Sequence, residues 1–272
     1  MRVICFGAHP DDFEIKFAGT AAKFAAAGHA VKSVVMTNGA CGHQEKFGPG
    51  LVGIRHGESA EAAKRLGIAE THNLGRPDGG LQPDMETRGE VIRQIRGWQA
   101  DVVLSPRPND YHPDHRYTAQ LVQDAAYMVV VPGVCPDTPA LRKNPVILHL
   151  EDDFQLPNPL RPDVVVAIDD VWSKKVLAMD AHVSQFYEWL PWVDGVLKDV
   201  PQGAEERRNW LSTTRTTPIN DAVRAALVAR YGEKGRSVKH AEAFQLCEYG
   251  RQASKAELDE IFPVDNRTKD ER

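Results

Sequence analysis

The sequence holds only four cysteines, Cys5, Cys41, Cys135 and Cys247, and no CxxC pair. That usage excludes a disulfide scaffold and fits a reducing, cytoplasmic setting. No apolar run approaches the ~20 residues of a membrane-spanning helix. The opening run Arg2–Ala8 is broken by His9-Pro10 before the apolar stretch of a signal peptide can form. There is no excess of positive charge: 33 Lys and Arg against 38 Asp and Glu give a net charge of −5, which argues against a nucleic-acid binder. The first strand-to-helix turn lacks GxGxxG, and its two adjacent carboxylates would repel a pyrophosphate, so a dinucleotide fold-site is excluded. No internal repeat and no low-complexity linker divides the chain.

What remains is a globular composition, 42% hydrophobic and 26% charged over 272 residues, enough to bury a core without staples. The first half alternates strand and helix. Arg2–Ala8, Val31–Thr37, Thr71–Leu74 and Asp101–Ser105 read as strands, the longer apolar runs as strands buried on both faces. Helical spacing falls between them, from Phe17 to Gly28, Arg55 to Leu66 and Met85 to Trp98, with Asn38–Gly53 as a Gly-rich loop. This order predicts an α/β fold, a doubly wound and mostly parallel sheet with helices on both faces. Pro132–Pro162 carries seven of the 18 prolines around a strand candidate at Val146–Leu150, and reads as an extended crossover. Val164–Ile168 and Ala243–Cys247 are further strands, with a helix from Val171 to about Ser184 and helical pattern over Glu205–Arg230. We read one domain over 1–253 and a charged tail, frayed or surface-bound, over 254–272.

Two His/Asp clusters stand out. His9-Pro10-Asp11-Asp12 follows the first strand, and His112-Pro113-Asp114-His115 follows the strand that ends near Pro106. In a doubly wound sheet these two strand ends flank the switch point where ligands bind, so clusters about a hundred residues apart become neighbours. A single His-Pro-Asp after a strand is most simply a turn with a helix N-cap. Two of them on opposite sides of one switch point are not explained that way. Two imidazoles and a carboxylate form the donor set of a catalytic zinc site with one position open, and the spare carboxylates suit proton transfer or the orientation of an imidazole.

At these residues the chain resembles the LmbE/PIG-L family of metal-dependent N-deacetylases. The likeness continues in Glu14-Ile15, Ala18-Gly19-Thr20, Arg55-x-x-Glu58, Pro77-Asp78-x-Gly80-Leu81, Ser184-Gln185-Phe186 and Ala241-Glu242-x-Phe244, covering about residues 1–250. It is nearest to the bacterial branch that includes the bacillithiol-pathway deacetylase. The resemblance implies a Rossmann-like fold and a zinc ion, or ferrous iron or another divalent metal, held by His9, Asp12 and His115. It implies Asp11 as general base, His112, positioned by Asp114, as oxyanion stabiliser and acid, and Arg55 as a substrate contact. It further implies an N-acetylglucosamine-type substrate and a homo-oligomer, trimer or hexamer. An amidase of the same mechanism on another small-molecule amide, and a non-catalytic metal- or sugar-binding protein, are the alternatives.

Weaker signals surround these motifs. Tyr111 and His182 are added as candidate substrate contacts, against plainer readings as a loop aromatic and a helix-surface histidine. Lys16 stands where relatives carry a small residue; it reaches a substrate acid or phosphate, or simply solvent, and we take solvent. His43 reads as a surface loop residue. Phe186-Tyr187, Trp189 and Trp192 read as packing or an interface before a sugar platform.

Overall fold

The computed structural model describes residues 1–262. Strand β1 (Arg2–Gly7) runs into two short helices, α1 (Asp12–Lys16) and α2 (Ala18–Ala26), and then β2 (Ala30–Thr37). Helix α3 (Gly48–Leu66), β3 (Glu70–Arg76), α4 (Met85–Trp98), β4 (Val102–Ser105) and α5 (Pro113–Met128) follow. The second half holds β5 (Val146–Leu150), β6 (Val164–Ala167), α6 (Trp172–Asp180), a π-helical turn at Ser184–Trp189 and α7 (Leu190–Val193). It closes with α8 (Ala204–Thr214), α9 (Asp221–Tyr231), β7 (Ala241–Leu246) and α10 (Lys255–Ile261).

All seven strands form one sheet in the order β3-β2-β1-β4-β5-β7-β6. The first five are parallel, and β7 lies antiparallel between β5 and β6. Both faces are covered, which is why the inner strands read as unbroken apolar runs. Val3 and Cys5 pack with Phe13, Phe17 and Phe24 on one face, while Ile4 and Phe6 pack with Val91, Ile95 and Leu121 on the other. The chain runs outward from β1 to β3, then returns to β4 on the other side of β1. The switch point therefore lies beyond Gly7 and Ser105, where the two His/Asp clusters begin.

Two boundaries differ from expectation. Helix α3 begins at Gly48 rather than Arg55, because Pro49 sits in its first turn and Leu51 is fully buried. Burial of that face outweighs the poor helix propensity of Gly50 and Gly53. The stretch from Ser254 is not frayed: Ser254 and Glu257 form a capping box that starts α10, and Phe262 is buried between Phe24 and Phe244. The rest of the expected tail, 263–272, lies outside the described residues. The proline-rich crossover is tied down by Arg96, fully buried, whose guanidinium donates to the carbonyls of Met128, Val129, Val131, Val134, Cys135 and Thr138.

Candidate metal centre and active site

The turn after β1 is built around Asp12. Its Oδ2 accepts from the amides of Ala8 at 2.7 Å and His9 at 2.9 Å, which leaves Oδ1 free to face the crevice. A side chain at Gly7 would meet the Asp12 Cβ at 2.9 Å, so only glycine lets the turn fold this tightly. Between His9 and Asp12, Asp11 sits at φ +145°, a left-handed conformation that a non-glycine residue adopts at a cost. Burial pushes the Asp12 carboxyl up, but His115, His9 and the two amides together hold it well below the carboxylate range.

His9, Asp12 and His115 converge. His9 Nδ1 lies 3.2 Å from His115 Nε2, and Asp12 lies 3.5 Å from His115 and 3.9 Å from His9. The outer nitrogens are engaged: His9 Nε2 faces Asp78 and Asp114, each at 3.3 Å, and His115 Nδ1 faces Asp110 at 3.0 Å. Carboxylates accept only, so the ring protons belong on those outer nitrogens and two lone pairs face each other across 3.2 Å. Two lone pairs at that distance repel unless a proton or a metal ion lies between them. A tetrahedral ion with bonds of about 2.0–2.1 Å spaces its donors by about 3.3 Å, the spacing seen here. Burial works against a charge on either imidazole, yet the surrounding carboxylates raise His9 to about 9 and His115 to about 10. The site thus calls for positive charge, and its donor set fits a divalent metal.

Asp11 points past this triangle. Arg55 Nη2 lies 3.4 Å from its carboxylate and donates to the Pro10 carbonyl at 2.7 Å. Burial pushes the Asp11 carboxyl up to about 6, against the pull of Arg55. Arg55 is only 2% exposed and sits against Asp11. His182 is not the helix-surface histidine of the plainer reading. It is fully buried, 3.2 Å from Glu14, and burial of its ring is outweighed by the Glu14, Asp11 and Glu58 carboxylates, which raise its pKa.

His112 stands across the triangle, its ring 4.5 Å from that of His9 and edge-on to it. Asp114 positions it differently from expectation. The Asp114 amide, not its carboxylate, donates to His112 Nδ1 at 3.1 Å, which places the proton of the neutral ring on Nε2. The carboxylate instead serves His9 and accepts from the Gly79 and Leu81 amides. Burial, with His9 and His115 nearby, lowers the His112 pKa, so the ring is a neutral donor. Asp78 belongs to the Pro77-Asp78-x-Gly80-Leu81 motif but has no role assigned from sequence; its second oxygen accepts from the Cys41 amide, and only the folded chain shows that it orients His9.

The rim is aromatic on one side, where exposed Tyr111 leans on His112, His115 and Phe154. On the other side the loop after β2 is pinned by the π-helical turn. His43, expected on the surface, is buried; its Nδ1 accepts from the Glu45 and Lys46 amides and its Nε2 donates to Glu188 at 2.6 Å. Lys16, expected in solvent, lines a cavity beside Asp12 and His115.

The chain is similar to known proteins. The family model for PIG-L, GlcNAc-PI de-N-acetylase, matches residues 4–126. Diacetylchitobiose deacetylase of Thermococcus kodakarensis is 30% identical over 198 residues, covering 70% of this chain and 73% of that protein. The chain belongs to the PIG-L family. Within solved structures, N,N'-diacetylchitobiose deacetylase from Pyrococcus horikoshii in complex with its inhibitor MPG superposes with a TM-score of 0.68 and 26% identity, covering 91% of this chain and 84% of that one. GalB of Pseudomonas putida, a 4-carboxy-2-hydroxymuconate hydratase, superposes at 0.67 with 22% identity over 93% and 98% of the two chains, which shows a shared fold. Among the described residues, no helix is long and apolar enough to cross a membrane.

Proposed function

We propose that the protein is a divalent-metal-dependent N-deacetylase that hydrolyses the N-acetyl group of an N-acetylglucosamine-type sugar or glycoconjugate. The observation that carries this reading is the pair of ring nitrogens facing each other at 3.2 Å, with Asp12 completing the triangle and Asp11 and His112 flanking it. The kinship with diacetylchitobiose deacetylases supports the substrate class. His9, Asp12 and His115 would hold zinc or ferrous iron. Such an ion polarises a carbonyl and acidifies water.

The chain's own groups do the rest. Asp11 is ionised at neutral pH yet, near 6, basic enough to take a proton from the attacking water. His112 presents Nε2–H to the oxygen of the tetrahedral oxyanion. Because that ring is neutral, the proton held by Asp11 is the one available to the leaving nitrogen, whose departure as an anion is prohibitive. Acetate and a free amine result. Neither cluster contains a serine or cysteine, so no acyl-enzyme is required. The same reading includes a cytoplasmic homo-oligomer, supported by the exposure of Trp192 and Val193, which a mass measurement in solution tests.

The deciding assay is amine release from N-acetylglucosamine and N,N'-diacetylchitobiose by zinc-reloaded protein. Asp11→Asn is expected to lower kcat by about 10²–10⁴ while bound zinc is unchanged. Turnover that survives the substitution removes Asp11 from the chemistry. Tightly bound metal with no turnover of any N-acetyl sugar moves the reading to an amidase on another amide.

A further inference from the structure

A small cavity of about 30 Å³, open to solvent, borders the metal centre on the side of β4 and β5. Asp12 and His115 form its inner wall, Pro106 and Leu150 give it an apolar flank, and Lys16 and Glu151 reach it from α1 and from the end of β5. It shares Asp12 and His115 with the metal triangle, so it adjoins whatever the triangle holds.

The charges around the cavity are already matched, with one exception. Arg107 is a bidentate partner of Asp152, at 2.7 and 2.5 Å. Asp110 serves His115, and Asp12 faces the metal position. Glu151 is 6% exposed and accepts from the Ala243 amide at 3.1 Å. Its burial raises its carboxyl to about 7 in spite of Lys16, so it is a weak counter-charge near neutrality. Lys16 is half-buried, and among the described residues its ammonium makes no hydrogen bond and has no carboxylate within ion-pair distance. An ammonium held in a partly dry cavity, with Glu151 facing it only from beyond ion-pair distance, gains from a ligand that brings a closer anion.

We propose that this cavity is a subsite for an anionic substituent of the substrate, a carboxylate or phosphate borne close to the scissile amide, and that Lys16 selects it. The proposal rests on the deacetylase reading and narrows its substrate class. A neutral N-acetyl sugar fills the metal side of the site and leaves Lys16 unanswered. An anionic one fills both.

The test compares zinc-loaded wild type with Lys16→Met, which keeps the apolar stem and removes the charge. Three substrates are used: N-acetylglucosamine, N-acetylglucosamine 6-phosphate and N-succinylglucosamine. The last two place the anion on the sugar side or the acyl side of the amide, so the one preferred shows which side faces the cavity. Lys16→Met is expected to lower the ratio of anionic to neutral kcat/KM about tenfold or more, the worth of one hydrogen bond to a charged group. Added salt is expected to shrink the same ratio in wild type alone. A ratio equal in both proteins overturns the subsite while leaving the deacetylase. Calorimetric titration with succinate and with inorganic phosphate gives a readout that needs no turnover. Binding weakened about tenfold by Lys16→Met, with none of the three compounds hydrolysed, keeps the subsite and overturns the deacetylase reading. Binding of both anions that is equal in the two proteins overturns the subsite by itself.

Discussion

Each imidazole of the triangle owes its direction to a carboxylate on its far side. Asp110 holds His115, while Asp78 and Asp114 share the outer nitrogen of His9. Loss of such an outer partner lets the ring turn and its basicity fall. Asp78→Asn is therefore expected to weaken zinc binding about tenfold, at the low end of such effects because Asp114 remains, as measured by competition with a chromogenic chelator. An unchanged affinity would mean that Asp114 alone orients His9. The sequence made the inner residues legible, since His-Pro-Asp-Asp and His-Pro-Asp-His bring their own chemistry wherever they stand. It did not make the outer ones legible. Asp78 looks like any turn aspartate until the turn after β3 reaches across to His9 at the end of β1. Nothing in the sequence says that Arg55 and His182 are buried, the first against Asp11 and the second against Glu14.

Among the elements, the buried parallel strands were the most readable, because a strand covered on both faces needs no alternation to be recognised. Val146–Leu150 emerged even inside a proline-rich stretch. The π-helical turn at Ser184–Trp189 had no such signature. One extra residue per turn is a product of how Gln185 and Glu188 seat on the loop after β2, donating to Gly42 and receiving His43. The early start of α3 was hidden by its glycines. Gly57 lies exposed in the interior of that helix, and an added Cβ meets nothing within 4 Å. Gly57→Ala is expected to stabilise the protein by about 0.5–1 kcal/mol. That corresponds to a rise in Tm of about 1–2 °C in calorimetry. A lower Tm would show that the exposed face of α3 meets a neighbour in solution.

For the molecule as a whole, Glu151 ties stability to pH. It sits at the end of β5 and binds the backbone of β7, buried enough that its carboxyl rises from 4.5 to about 7. An acid whose folded value is raised contributes its full stability below the unfolded value and loses it as pH climbs through the folded one. Between about pH 5 and pH 8 this group removes about 3 kcal/mol. Glu151→Gln keeps an acceptor for the Ala243 amide and is expected to flatten that fall, so that the variant melts above wild type near pH 8 and level with it near pH 5. Melts that remain parallel across the range would place the titration elsewhere.

Chain order and sheet order part a second time at the β7–β6 edge, and a ribosome meets the consequence. By residue 150 it has delivered β1 to β5 and all three metal donors, a run of parallel strands that can register without β6 or β7. Strand β6 comes next but pairs only with β7, the last strand to be made. The amides of Gly19 and Thr20 at the start of α2 await Glu242 from that same strand. A nascent chain stopped short of Ala241 thus owns its metal donors while β5 stands as an open edge and β6 as an unpaired apolar ribbon. Such an edge is the template on which unfinished chains aggregate, and the final strand closes it by sliding between two that were waiting.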